Sequence, residues 1–285
     1  MSATAARLPA GTAARRGRPA LLLAGGIVAL VLLLALLGPS LVPQDPLAQD
    51  LLALNQPPDA AHWLGTDHLG RDVLARLATG ARLTLLVGAG GATLAFLLGA
   101  GFGLPALAFG GAARVLVFGV FDLLRALPGI LLAMLLVAAL APGPVSVMLA
   151  LGLTYAPMVA EVARATHARE SAADYIAAAK SFGLSRLTVL GRHLLPNLTG
   201  VLLTFAAIIL PRCIVTESVL SFLGLGGTPE LPSWGRMIAD AGRFAEDAPH
   251  AVLAPVLALS AFTLGLSVLG ERLRAAADPL RGDAP

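Results

Sequence analysis

The stretch "DYIAAAKSFGLSRLTVLGRHLLPN", residues 174–197, is a short polar island in a chain of 285 residues that is 57% hydrophobic and 13% charged. In its first half Tyr175, Ala178, Ala179 and Phe182 recur at i, i+3, i+4 and i+7, the spacing of one helical face. Gly183 follows, where a helix ends most cheaply in a left-handed residue. Leu184, Leu187, Leu190 and Leu194 then form a second stripe with Arg186 and Arg192 off it, and Pro196 is expected to stop that helix. The pattern predicts an amphipathic helical hairpin. Two settings suit it: a lipid interface, which favours large apolar residues and a lysine-rich polar face, or a groove in another protein, which favours small alanines and a glycine bend.

The surroundings decide what kind of chain carries this hairpin. Ordinary soluble domains are about 25% charged. Here no charged side chain occurs between Arg82 and Arg114, or between Arg125 and Glu161. Several runs reach the roughly 20 apolar residues that cross a hydrocarbon core. They are Ala20–Leu37, Leu83–Phe109, Val115–Leu140, Val145–Ala163, Leu198–Phe222 and Ala251–Gly270, the third and fourth being separated by "APGP" at 141–144. The fold class predicted is an all-α polytopic membrane protein with six transmembrane helices. The first run is read as a retained span, because "LLGPSLVPQ" lacks a small-x-small cleavage site.

Six spans place both termini on one side. Residues 1–19, 110–114, 164–197 and 271–285 then share a face and carry thirteen Lys and Arg, whereas 38–82 and 223–250 carry five. By the positive-inside rule the first set is cytoplasmic, with Arg7, Arg15, Arg16 and Arg18 anchoring the N-terminus. The organisation expected is 1–82 as cytoplasmic N-terminus, first span and outer segment, 83–272 as the main transmembrane domain with its cytoplasmic loop at 164–197, and 273–285 as a cytoplasmic tail. Gly88, Gly91, Gly99 and Gly103 in the second span are expected to let helices approach closely.

The single cysteine, Cys213, excludes an intrachain disulfide and a Cys-based metal site. Lys180, the only lysine, follows alanine, so no phosphate-binding G-x-x-x-x-G-K-[ST] loop exists. His62, Asp67, His68 and Asp72 lack metal-ligand spacing, and the stretch reads as a turn with Asp67 capping a helix that runs toward Arg76 and Arg82. No metal site and no catalytic residue is expected. Asp122 and Arg125, three residues apart, are expected to form a salt bridge at a membrane edge. Arg212 and Glu217 sit about 140° apart around a helix and are poor mutual partners. Each must therefore face the bundle interior, a water-filled path or another subunit.

"AAAKSFG" followed nine residues later by "HLLP" resembles the EAA loop of ATP-binding-cassette importer permeases. Aligned on Gly183, the motif's alanines are Ala178 and Ala179 and its Leu-Pro is Leu195–Pro196, with Ala177 where the motif has glutamate and His193 where it has isoleucine. With Tyr175 and Leu187 these residues make up the coupling loop that the resemblance implies. "HWLGTDHLGRDVLARLATGAR" (62–82), "TESVLSFLGLGG" (216–227), "PSWGRMI" (232–238) and "LSVLGERLRAAADPLR" (266–281) resemble the dipeptide, oligopeptide and nickel branch, specifically the second permease of each pair. The resemblance implies a type I importer transmembrane domain whose hairpin supplies coupling helices to an ATPase subunit. It implies as partners a homologous permease, two ATPase subunits that bind ATP and magnesium, an extracytoplasmic solute-binding protein docking near Gly224–His250, and membrane lipid, with no nucleic acid. This chain itself would hold no cofactor and perform no catalysis. Glu217 matches an acidic position of the branch and, with Ser221, is expected near the translocation path or its outer gate. Pro211–Arg212 stands where the branch has small residues. An ion-coupled secondary transporter with Asp122, Arg125 and Glu217 as a relay is the alternative, and a non-transporting scaffold a third reading.

Overall fold

The computed structural model describes residues 18–227 and 230–276, so Arg7, Arg15, Arg16 and most of the expected cytoplasmic tail lie outside the described residues. Ten α-helices organise them: α1 (Arg18–Leu41), α2 (Val73–Phe109), α3 (Gly111–Arg125), α4 (Gly129–Leu140), α5 (Pro144–Ser171), α6 (Asp174–Ser181), α7 (Arg186–Val189), α8 (Leu195–Phe222), α9 (Trp234–Gly242) and α10 (Pro249–Ala276). No β-strand forms among the described residues, only an isolated bridge between Thr66 and Asp72.

Among the described residues five helices are long and apolar enough to cross a membrane, and α3 with α4, taken as one bent span, make six. The third expected span is different. Instead of one helix over 115–140, α3 and α4 meet at 96°. The cause is Pro128, which adopts φ −54° and ψ 132° and ends the α-helical path that Ala126 still follows. Proline removes a donor and pushes its predecessor out of the helical region. The "APGP" boundary forms as expected, with Pro144 in the first turn of α5.

The second span begins ten residues earlier than its apolar run. Asp72 is the N-cap, its carboxylate accepting from the Ala75 amide at 2.7 Å, and α2 then runs unbroken from Val73, taking in Arg76 and Arg82. The cap expected at Asp67 therefore falls one turn late. The expected boundary at 82/83 lies inside this helix.

α2 is the axis of the bundle, packing along α5 and against α8, α1 and α9. Glycine makes this possible at two crossings. A Cβ on Gly88 would stand 2.6 Å from Ile214 Cγ1 of α8, and one on Gly99 would collide with the Ala156 carbonyl and lie 2.7 Å from Val159 Cβ of α5. One core joins α2, α4, α5 and α8 through Leu151, Val159, Leu198 and Ile209, and reaches the hairpin through Ile176 and Val189. A second joins α1, α2, α9 and α10 around Trp234 and Phe262. Leu22, Leu30 and Leu36 of α1 are exposed, as expected of a lipid-facing surface.

Candidate functional site

The hairpin at 174–197 forms, but its second arm differs from expectation. Gly183 takes φ +77° after α6, the left-handed geometry that glycine adopts without steric cost. α7 then passes into a π-helical turn, Leu190–Leu194, closed by the Leu195 amide on the Leu190 carbonyl, and continues into α8. Pro196 stops nothing: it follows the residue that closes the π turn, and the helical path continues through it into α8. The helical rod from Leu190 to Phe222 is 33 residues long.

The hairpin is fastened to the bundle on three sides. Ile176, Ala179, Val189 and Leu194 turn inward and are buried. Tyr175 Oη donates to Glu170 Oε2 at 3.1 Å and accepts from Asn197 Nδ2 at 2.9 Å, joining α5, α6 and α8. Arg186 Nη1 donates to the Phe109 carbonyl at 2.8 Å, satisfying an orphan acceptor at the C-terminal end of α2. What remains outside is an apolar edge. Phe182 is 86% exposed at the apex, Tyr175 and Ala178 are exposed behind it, and Leu184 and Leu195 are partly exposed. Of the first expected stripe only Ala179 is buried, and of the second Leu194. The side chains of Ala177 and Leu187 lie outside the described residues.

At the other end, charges link the outer segment to α9. Asp67 pairs with Arg71 Nε at 2.8 Å and approaches Arg76 Nε at 3.5 Å. Asp240 on α9 receives Arg236 Nε at 3.1 Å and Arg76 Nη2 at 3.5 Å. Trp234, fully buried, donates its indole N–H to the Leu77 carbonyl at 3.0 Å and its amide to Thr84 Oγ1 at 3.1 Å. The histidines of this segment have other employment. His62 Nδ1 donates to Asp72 Oδ2 at 2.8 Å, and His68 stacks on Phe244 with centroids 4.6 Å apart. Burial holds the His68 imidazole below its ordinary range, the neighbouring Asp67 opposing that shift.

Glu217 and Ser221 lie within the chain beneath α9, each 2% exposed. Glu217 accepts from Ser221 Oγ at 2.7 Å and Ser218 Oγ at 3.2 Å. Arg212 emerges on another face of α8, as their angular separation requires, and is exposed. The expected Asp122–Arg125 bridge does not form: Arg125 instead reaches Glu161 Oε2 of α5 at 3.6 Å. Two residues three apart share a face, but the α3–α4 bend carries Arg125 toward α5. No hydrogen bond joins Asp122, Arg125 and Glu217 into a relay.

Between α8 and α10 lies an open groove of about 620 Å³ whose wall includes Tyr155 of α5. It was not legible as a site from any sequence motif; its one advance sign was an arginine within an apolar run.

Spanning helices around a glycine-lined axis, with a hairpin built into one of them, make a polytopic membrane domain. The comparisons make the class specific. Residues 91–282 match the family described as binding-protein-dependent transport system inner membrane component, and residues 16–58 match the N-terminal transmembrane domain of oligopeptide transport permease C. The chain belongs to this family of ABC transporter permeases. It is 35% identical over 257 residues to the glutathione transport system permease protein GsiD of Pectobacterium atrosepticum, covering 90% of this chain and 85% of that one. It is 34% identical over 224 residues to the dipeptide transport system permease protein DppC of Alkalihalophilus pseudofirmus, covering 79% and 74% respectively. With the di/tripeptide transport system permease protein DppC of Pseudomonas aeruginosa the identity is 35% over 263 residues, covering 90% and 87%. As a component of a binding-protein-dependent system it works with other subunits.

Proposed function

We propose that this chain is one of two permease subunits of an importer that moves small peptides across the cytoplasmic membrane, driven by ATP hydrolysed in partner subunits. The observation that carries the reading is the union of the hairpin with the fifth span: α7, the π turn and α8 are one continuous helical path. Movement imposed on the hairpin is thereby imposed on a helix that crosses the bilayer, which is a rigid-body route for coupling. Tyr175, Ala178, Ala179, Gly183, Leu187, Leu195 and Pro196 are the coupling residues, with Phe182 as the apex that enters the partner. An 86% exposed phenylalanine beside small alanines suits a protein groove better than a solvated loop.

The partners are a sister permease, two ATPase subunits on the hairpin side, and a solute-binding protein on the side of α9. Both termini lie on the hairpin side, in keeping with the thirteen-to-five excess of Lys and Arg. ATP and magnesium bind the ATPase subunits, and this chain holds no cofactor. Glu217 and Ser221 act at the outer gate through the seat of α9 on α8. Peptide cargo is favoured over the nickel-type alternative by the relatives named for glutathione, dipeptides and di/tripeptides.

The test is reconstitution. The full assembly in proteoliposomes should take up peptide only with ATP and loaded binding protein present, and omission of the ATPase subunits should abolish uptake. Uphill uptake by this chain alone, driven by a proton gradient, would establish the secondary-transporter reading instead.

A further inference from the structure

The groove between α8 and α10 contains a charge that the fold leaves unanswered. Arg212 sits ten positions before the end of α8 at Phe222, about 15 Å along the helix axis. Such a position lies within the hydrocarbon layer, where a cation must face protein, water or a bound anion. Arg212 is exposed and makes no hydrogen bond or ion pair with another described residue. The groove it enters has about 620 Å³, within the range of roughly 300–1,000 Å³ typical of small-molecule sites.

The rest of the wall near Arg212 is apolar or already committed, and the other charges, Glu271 and Arg274, lie together toward the end of α10. Thr263 and Ser267 of α10 donate their hydroxyls to carbonyls of their own helix, at 2.8 Å each, and so face the groove as acceptors. Tyr155 and Thr216 bond each other at 2.7 Å beside Arg212. Pro211 provides no amide for the carbonyl four residues earlier, and that carbonyl, of Ala207, belongs to a residue of the same wall. Toward the hairpin side the groove is lined by Glu271 and Arg274, whose charges are opposite. Arg212 is thus the one guanidinium offered at mid-span, among acceptors and apolar side chains, apart from the two charges at the hairpin end. A guanidinium's fork of N–H donors fits a carboxylate bidentately.

We infer that this groove is part of the peptide path, and that Arg212 receives the C-terminal carboxylate of the passing peptide. The inference rests on the peptide-import reading and adds a residue that selects the cargo's free acid terminus. Arg212 is a specificity residue of translocation and leaves capture to the binding protein.

The experiment uses the complete assembly in proteoliposomes, with saturating binding protein, and compares trialanine with trialanine C-terminal amide. For each peptide the ratio of variant to unchanged rate cancels the binding protein's own preference. Arg212→Gln should lower the ratio at least tenfold for the free acid and leave it near one for the amide. Arg212→Lys, which keeps the charge, should recover the acid to within about threefold. Co-purification with the sister permease should be unaffected by either change. Equal loss for both peptides, loss of assembly, or no loss at all overturns the proposal: the first two outcomes make Arg212 a structural partner of another subunit. Failure of the unchanged assembly to import either peptide with ATP would sink the peptide-import reading, and this proposal with it, whereas the other failures leave that reading intact.

Discussion

Arg76, 1% exposed in the first turn of α2, places its guanidinium 3.5 Å from the Asp240 carboxylate of α9, joining residues 164 positions apart. The same guanidinium is 3.5 Å from Asp67, so one buried cation holds the outer segment, the second span and the outer helix together. Removing one partner of a buried pair strands the other and costs about 3–5 kcal/mol, whereas replacing both by apolar groups is often neutral. Because Asp67 remains, Asp240→Asn should cost toward the lower end of that range. The double replacement Arg76→Met with Asp240→Leu should cost less than the single one. Thermal unfolding of the purified assembly checks the order, and an equal or greater loss in the double variant would refute it.

Phe182 should matter for association and not for folding. Its ring is 86% exposed, so Phe182→Ala removes almost no internal packing. An aromatic anchor in a partner's pocket typically carries 2 kcal/mol or more, or about thirtyfold in affinity. Phe182→Ala should leave the melting temperature of the permease pair unchanged while weakening ATPase capture by roughly that factor, as read in a titrated pull-down.

Gly183 has φ +77° and no heavy atom near the place a Cβ would occupy. A side chain there meets no neighbour, and only its backbone strain of roughly 1–2 kcal/mol counts. Gly183→Ala should therefore insert and assemble normally but shift the angle between α6 and α7. The expected outcome is ATP hydrolysis that persists while peptide moved per ATP falls several-fold.

The outer segment should respond to acid through His68. Burial lowers the folded-state pKa of this imidazole below its ordinary 6.5, so the unfolded segment binds the proton more readily. Stability from this group is then full above pH 6.5 and declines as pH falls from 6.5 toward the folded value. Protection factors across residues 62–72, which correct for the slower intrinsic exchange in acid, should fall between pH 7.5 and pH 5. His68→Gln, which keeps a polar planar group but cannot titrate there, should flatten that profile.

Local signals in the chain reached far but not everywhere. Gly183 and the "APGP" boundary were readable because each depends on backbone rules of one or two residues. Pro128–Gly129 carries the same kind of punctuation, and the α3–α4 bend was available from it; the apolar residues that continue on both sides of it hid the break. Arg125 pairing with Glu161, and Arg76 with Asp240, were not readable, because side chains 36 and 164 positions apart meet only after the helices pack. Asp67 read as the cap, but its carboxylate is taken by Arg71, and Asp72 opens α2 instead. The hairpin's apolar stripe was visible, but its division into an inward edge at Ala179 and an outward one at Phe182 needed the surrounding bundle.

The π turn at Leu190–Leu194 has a consequence for orientation. A π turn contains one residue more than the α-helical path it replaces. Each residue of an α-helix advances the azimuth by about 100°. The wider turn absorbs that residue, so the hairpin's outward edge stays in phase with the face of α8 that bears Arg212. A one-residue deletion within 190–194 would let the turn close as ordinary α-helix with the hairpin's bearing nearly kept, whereas the same deletion in the α-helical path beyond it would swing that edge by about 100°.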